Sequence, residues 1–248
     1  MSKRYSSIVV LTGAGISAES GVPTFRASDG LWEGHKVEDV ATPAAFIRDP
    51  DQVHRFYNQR RRFWLDGIEP NAAHQAIAEF SQQFSGQFTL VTQNIDNLHQ
   101  RAGTKHVYPM HGELLKIRCQ DTGQLFDCTS DTQKEQHCPC CDIAGNLRPH
   151  VVWFGEMPLF METIEQALAQ CDLFIAIGTS GNVYPAAGFV QTARYYGAET
   201  VEMNLVPTTP DHLGGSVFDQ EIIGPATVTV PTFFQLLLGS SVHNDKNT

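Results

Sequence analysis

The sequence is short of positive charge. Its 248 residues hold 17 Lys and Arg against 27 Asp and Glu, a formal net charge of −10, and Arg60-Arg61-Arg62 is the one dense cationic cluster. A nucleic-acid binder usually presents a basic face, so no nucleic-acid partner is expected. Long apolar runs are also lacking. No stretch nears the roughly 20 residues that span a bilayer. The early "IVVL" is too short for a signal-peptide core and is interrupted by Gly13. No membrane partner is expected, and the default compartment is the cytoplasm. Internal repeats and low-complexity tracts are absent, and only the last residues, "VHNDKNT" included, read as a loose tail. Cysteine is sparse at six residues, yet five fall between Cys119 and Cys141. In a reducing compartment that bunching points to metal or packing before disulfides.

What is present describes an ordinary globular chain, 42% hydrophobic and 18% charged. Several short apolar runs read as buried parallel strands: 8–12, 88–92, 150–154, 173–178, 200–205 and 226–230. Helical patterns lie between them at about 71–84, 159–170, 185–196 and 231–238, with Pro185 and Pro231 near two of the starts. Alternation of this kind predicts an α/β fold with a Rossmann-like, doubly wound parallel sheet. Two segments break the rhythm. Residues about 28–70 show no convincing strand, but 49–67 form one amphipathic helical pattern, and residues about 116–148 are rich in Cys, Gly and Asp. Both read as insertions that build a smaller lobe, helical in one part and Cys-rich and zinc-ribbon-like in the other. The large lobe would comprise about 1–27, 71–115 and 149–240 of a single domain. A ligand cleft is expected between the lobes, at the carboxyl ends of the strands.

Four motifs carry chemistry. "VVLTGAGISAESGVPTFR" (9–26) runs a strand into Gly13-Ala14-Gly15, a turn whose glycines could let backbone N–H groups approach a pyrophosphate. A strand-to-helix turn with no ligand would look the same. The acidic residue that a dehydrogenase places about 20 positions further on has no strand before it here, which disfavours hydride transfer. In "TQNIDNLHQRAG" (92–103), Gln93, Asn94, Asp96 and His99 crowd the end of a strand with groups suited to ribose hydroxyls and a carboxamide, or to capping a polar turn. "YPMHGE" (108–113) offers His111, either structural or a general base. "GTSGNVYPAA" (178–187) repeats a phosphate- or ribose-binding geometry, and Asn204 adds an amide at the same sheet edge.

Taken in order, "GAGIS…GVPTFR", "TQNID", "HG", the Cys cluster, "LRPHVVWFGE", "GTS..VYPAA" and "NL" resemble the sirtuin family, from about Ile8 to Leu238. The resemblance implies an NAD-dependent protein lysine deacylase acting on acylated-lysine proteins. In that chemistry nicotinamide leaves C1′ of its ribose as the acyl oxygen attacks, and the products are nicotinamide, free lysine and O-acyl-ADP-ribose. His111 matches the base that activates a ribose hydroxyl, and Asn94 the catalytic amide beside it. The resemblance places Gly13, Ala14, Gly15, Ser17, Phe25, Arg26, Trp32, Gln93, Asn94, Ile95 and Asp96 around NAD. Gly178, Thr179, Ser180, Asn204, Leu205, Val206 and Ala226 complete that set. Val152, Trp153, Phe154 and Gly155 match the edge that pairs with an extended substrate peptide. The alternative closest in chemistry is a mono-ADP-ribosyltransferase using the same NAD pocket; a non-catalytic NAD sensor would not require His111 and Asn94.

The family's structural zinc is held by two Cys-x-x-Cys pairs. Cys138 and Cys141 match one pair and Cys119 begins the other, whose partner position is Thr122. Cys128, Cys140 or His137 could supply a fourth ligand, or the knuckle is held by packing alone. On the 49–67 helix, Phe56, Tyr57, Arg60 and Trp64 share an apolar stripe with Val53, while Arg61 and Arg62 point elsewhere and read as solvated. A guanidinium in that stripe needs an anion: Glu38 or Asp39 from within, or a carboxylate that arrives with the substrate. Tyr57 and Arg60 match the Tyr-x-x-Arg signature of sirtuins acting on succinyl- and malonyl-lysine, and Ala41 the small residue that admits the longer chain.

Overall fold

The computed structural model describes residues 5–24, 31–32, 34–208 and 216–242, with backbone alone at 31–32 and 240–242. Among these residues, six strands form one parallel sheet: β1 (Ser7–Thr12), β4 (Gln87–Thr92), β5 (Val107–Pro109), β9 (Leu173–Ile177), β10 (Glu199–Asn204) and β11 (Gln220–Ile223). Their order is β11-β10-β9-β1-β4-β5, so the chain winds one way from β1 to β5 and the other way from β9 to β11. The reversal falls between β1 and β9, the crevice where open α/β sheets bind ligands.

Alternate side chains of β1 enter different cores, as the two-residue repeat of a strand requires. Ile8 and Val10 pack with Ile77 and Phe80 of α4 (Ala72–Gln83) and with Val230 and Phe234 of α8 (Ala226–Val242). Val9 and Leu11 pack with Ile164 and Leu168 of α6 (Met161–Gln170) and with Phe189 and Val190 of α7 (Phe189–Tyr195). Helices therefore cover both faces, as expected. Among the described residues no helix is long and apolar enough to cross a membrane.

A second, antiparallel sheet is ordered β7-β6-β8: β6 (Gly112–Cys119), β7 (Leu125–Asp127) and β8 (Leu147–Val151). The run expected as a parallel strand at 150–154 belongs here, since β8 pairs antiparallel with β6 and ends at Val151. Apolar content fixes burial, not the partner strand. The 226–230 strand is also corrected. Those residues open α8, where Glu19 accepts from Thr227 N at 3.0 Å and from its hydroxyl at 2.7 Å, and Pro231 lies inside the helix. Packing of Val230 and Phe234 on α4 outweighs the β preference of a Thr/Val run. The 28–70 region does contain strand, a hairpin of β2 (Leu31–Trp32) and β3 (His35–Lys36). It continues as α1 (Val37–Val40), α2 (Pro43–Arg48) and α3 (Pro50–Leu65). Asp49 caps α3, accepting from Gln52 N at 2.9 Å with Pro50 in the first turn. One further short helix, α5 (Leu98–Arg101), follows β4.

Candidate functional site at the sheet's reversal point

Loops after β1, β4, β9 and β10 meet at the reversal. Gly13 N donates to the Ile177 carbonyl at 3.0 Å, and Gly15 N to the Gly178 carbonyl at 2.8 Å. A Cβ on Gly13 would sit 2.7 Å from the Gly178 oxygen, and one on Gly178, where φ is +61°, would sit 2.5 Å from the Ile16 nitrogen. Direct backbone contact between two strand tips thus already requires these glycines, before any pyrophosphate is considered.

Amides and one carboxylate tie the loops together. Asn94 Nδ2 donates to the Gly13 carbonyl (3.1 Å) and to Ser17 Oγ (3.2 Å), and Ser17 donates to Asp96 Oδ2 (2.9 Å). Asp96 Oδ1 accepts from Leu98 N at 3.0 Å. Burial pushes the Asp96 carboxyl up, while those donors pull it down. Gln93 Nε2 donates to Thr179 Oγ1 (3.0 Å), and Asn204 Nδ2 to the Thr179 carbonyl (2.8 Å). Ala14 and Ser180 flank these contacts on their loops, Leu205 and Val206 follow β10 with exposed side chains, and Ala226 opens α8. Trp32 lies in β2; Phe25 and Arg26 lie outside the described residues.

Behind this pocket sit two fully buried histidines. His99 Nε2 lies 3.0 Å from Thr12 Oγ1, His74 Nε2 lies 3.4 Å from Ser17 Oγ, and the two rings are 4.8 Å apart. Burial lowers His74 to about 4, and burial with His74 alongside holds His99 well below the imidazole range. Both are neutral near pH 7 and put no cation under the site. His74 escaped sequence reading because its partners Asn71 and Ser17 flank it from two different segments.

His111 stands between β5 and β6. Its Nδ1 lies 2.9 Å from the Gln93 carbonyl, which can only accept, so the ring hydrogen is on Nδ1 and Nε2 keeps its lone pair. Burial lowers the His111 pKa, opposed by the bond to Gln93. A Cβ at the next position would lie 2.1 Å from the His150 carbonyl, which explains Gly112.

Val152 N donates to the His111 carbonyl (2.8 Å) and Phe154 N to the Ala41 carbonyl (3.0 Å); Gly155 follows, exposed. Trp153 Nε1 donates to Tyr57 Oη at 2.9 Å, and Trp153 N donates to Glu156 at 2.8 Å. Glu156 in turn takes both forks of Arg148 at 2.6 and 3.0 Å. Sequence reading passed over this carboxylate, although it ends the "VVWFGE" motif. Ala41, Tyr57, Ile95 and Trp153 share one buried cluster. Arg60 is buried beside it, its guanidinium 3.2 Å above the Phe56 ring and its Nη1 donating to the Phe56 carbonyl at 3.0 Å. Asp39 is engaged elsewhere, with Arg48 at 2.7 Å. One expectation fails: Arg62 is exposed and pairs with Asp131, but Arg61 is only 1% exposed. Its acceptors are Asn58 Oδ1 (2.8 Å), one turn back on the same helix, and the Ser130 carbonyl (3.1 Å), 69 residues away in sequence.

Away from this site, the sulfurs of Cys119, Cys138, Cys140 and Cys141 all lie within 4.8 Å of one another. Zinc–thiolate bonds of about 2.3 Å in a tetrahedron space sulfurs about 3.8 Å apart. Cys119 and Cys141 are 3.8 Å apart, and Asn146 Nδ2 donates to both at 3.4 and 3.2 Å. The cluster fits a structural zinc, with Cys140 as the fourth ligand. Of the other candidates, Cys128 bonds the Ser130 carbonyl and His137 faces Asp142. Elemental analysis of protein purified without added zinc should return about one zinc per chain, with Cys140→Ser well below that and Cys128→Ser close to it. Substoichiometric metal in the folded, unsubstituted protein would count against the site.

The Sir2 family matches residues 13–185. The NAD-dependent protein deacylase of Escherichia coli (strain K12) is 58% identical over 232 residues, covering 93% of this chain and 82% of that one. A Sir2 homologue solved in complex with NAD superposes with a TM-score of 0.83 at 35% identity, over 95% of this chain and 91% of its own. A mutant Sir2 homologue bound to 2′-O-acetyl ADP-ribose gives 0.82 at 34% identity, over 95% and 93%. With the family match over residues 13–185 and a relative 58% identical over 93% of the chain, the chain belongs to the Sir2 family.

Proposed function

We propose that this protein is an NAD-dependent lysine deacylase that removes acetyl, succinyl and malonyl groups from protein lysines. The observation that carries the reading is His111, a neutral imidazole with Nδ1 bonded to the Gln93 carbonyl beside the Asn94–Ser17–Asp96 pocket. That arrangement supplies a proton acceptor at one fixed atom. The relative's deacylase activity and the NAD and 2′-O-acetyl ADP-ribose complexes of structural neighbours support NAD as co-substrate and O-acyl-ADP-ribose as product.

On this reading His111 Nε2 takes the proton of a ribose hydroxyl as that oxygen attacks the substrate's former acyl carbon. Asn94 and Asp96 face the ribose and the carboxamide, while the β1, β9 and β10 loops hold the remainder of NAD. The peptide lies along Val152–Gly155, and the acyl chain enters between Ala41, Tyr57 and Arg60. The larger lobe is the parallel-sheet unit; the smaller one joins the 28–70 helices to the Cys-rich sheet. The bunching of five of the six cysteines between Cys119 and Cys141, which reads as metal binding before disulfides, supports a reducing, cytoplasmic setting.

Incubation with NAD and acetyl-, succinyl- or malonyl-lysine peptides, read by mass spectrometry, tests the proposal. Nicotinamide, free lysine and O-acyl-ADP-ribose are expected. ADP-ribose attached to a protein acceptor would favour the transferase alternative instead. Asp96→Ala should raise KM for NAD about tenfold or more, as loss of a buried charge-assisted contact does, and weaken inhibition by nicotinamide in parallel. Unchanged values for both would remove Asp96 from the site.

A further inference from the structure

Helix α3 has two buried faces, and only one of them is apolar. With Val53 at 0° and about 100° per residue, Phe56, Tyr57 and Arg60 fall within about 60° of it, whereas His54, Asn58 and Arg61 gather at about 80–140°. All three members of this second face are buried. What covers them is the segment Ser130–Thr132, which leaves β7. Asn58 Nδ2 donates to the Thr132 carbonyl at 2.8 Å while Thr132 N donates back to Asn58 Oδ1 at 2.9 Å. The Thr132 hydroxyl lies 2.7 Å from His54 Nδ1. Arg61 spans from Asn58 Oδ1 to the Ser130 carbonyl, with its Nε 3.4 Å from the Leu114 carbonyl on β6. Lys134 adds an outer tie to Asp51 at 2.7 Å.

A reciprocal amide pair at Asn58 fixes both the rotation and the height of the helix, and Arg61 locks the next turn to the antiparallel sheet. Buried polar groups bonded across two segments in this way specify one arrangement, with His54 Nε2 and Arg61 Nη2 the two atoms of the network that it leaves unbonded. Tyr57 and Arg60 lie on the adjacent face of the same turns, and Trp153, which donates to Tyr57, follows β8 of that sheet. We infer that His54, Asn58, Arg61 and the Ser130–Thr132 segment are positioning residues for acyl selectivity: they set where Tyr57 and Arg60 meet the far end of the acyl chain. This rests on the dicarboxylate reading given above.

The test compares kcat and KM on acetyl- and succinyl-lysine peptides for the unsubstituted protein, Arg61→Met, Arg61→Lys and Thr132→Val. A misplacement of about 1 Å can cost about 100-fold. Arg61→Met should therefore lower the succinyl-to-acetyl ratio of kcat/KM by about tenfold or more, chiefly through KM for the succinyl peptide, with KM for NAD within about twofold. Arg61→Lys should recover part of the ratio, because an ammonium still reaches one of the carbonyls. Thr132→Val keeps the backbone pairing with Asn58, removes the hydroxyl's contacts with His54 (2.7 Å) and with Asn58 Oδ1 (3.2 Å), and should shift the ratio in the same direction. That variant carries the test if Arg61→Met does not fold. Desuccinylation by the unsubstituted protein with an unchanged ratio in the folded variants overturns this inference alone. Absence of desuccinylation in the unsubstituted protein overturns the acyl reading, and this inference with it.

Discussion

Replacing His111 with alanine is expected to cut deacylation by about 10²–10⁴-fold, the usual contribution of a general base. The geometry explains why no neighbour substitutes for it. Nδ1 is held by the Gln93 carbonyl, so the ring presents Nε2 in one orientation. His74 and His99 are sealed in the core behind the pocket. NAD binding, measured by calorimetry, should largely survive, because the loops that would hold the nucleotide are bonded to each other and not through this ring. Near-normal turnover by the folded variant would end the assignment. The pH profile offers a second check. A base must be unprotonated, and burial lowers the His111 pKa, so the active form persists to lower pH than for an ordinary imidazole. The acid limb of kcat/KM should fall below the usual imidazole range; a limb above it would contradict the assignment.

Arg60→Met is expected to reduce desuccinylation and demalonylation by about ten- to a hundredfold or more, since hydrogen bonds to charged groups contribute about 1.5–3 kcal/mol each. Methionine keeps most of the apolar length beside the Phe56 ring, which separates loss of charge from loss of packing. Deacetylation should fall much less, because an acetyl group ends short of the guanidinium. Tyr57 adds a hydroxyl on the same helical turn, held in place by the bond it accepts from Trp153 Nε1. Burial raises the Tyr57 pKa, so the phenol stays protonated and able to donate. Equal losses on all acyl groups would make Arg60 a structural residue, and the dicarboxylate reading would fall with it.

The parts of the fold legible in the sequence are those whose cause is local. Runs at 8–12, 88–92 and 173–178 are largely buried on both faces and so are apolar without alternation, and 200–205 is legible through Val201 and Met203 although Glu202 is buried between them. The strand at Val107–Pro109 is short and ends in proline, and Gln220–Ile223 is a largely exposed sheet edge; neither carries that signature. Residues 226–230 show the opposite failure, a β-branched run made helical by contacts with α4 and Glu19. In the site, the resemblance to the sirtuin family is what gathers Gly13, Asn94, Asp96, His111 and Gly178, since each of their motifs taken alone also fits an ordinary polar turn. The fate of Arg61 was not legible, because Ser130, which accepts from it, is 69 residues away. Nor was the choice of Cys140, whose sulfur lies 3.3 Å from the hydroxyl of Thr122, the residue in the expected ligand's place.

The contact between the tips of β1 and β9 has a bearing on how mutants of this edge should be interpreted. Gly13, Gly15 and Gly178 occupy space that any side chain would need, each within 2.8 Å of the opposing backbone once a methyl is added. An alanine at any of them acts as a wedge between two parallel strands and spreads the loops that carry Ser17 and Thr179. Cofactor affinity would collapse in such a variant even if the glycine itself never met the cofactor. A scan that ranks positions by lost binding would count these three among the ligands, when what they contribute is the absence of a side chain at the seam.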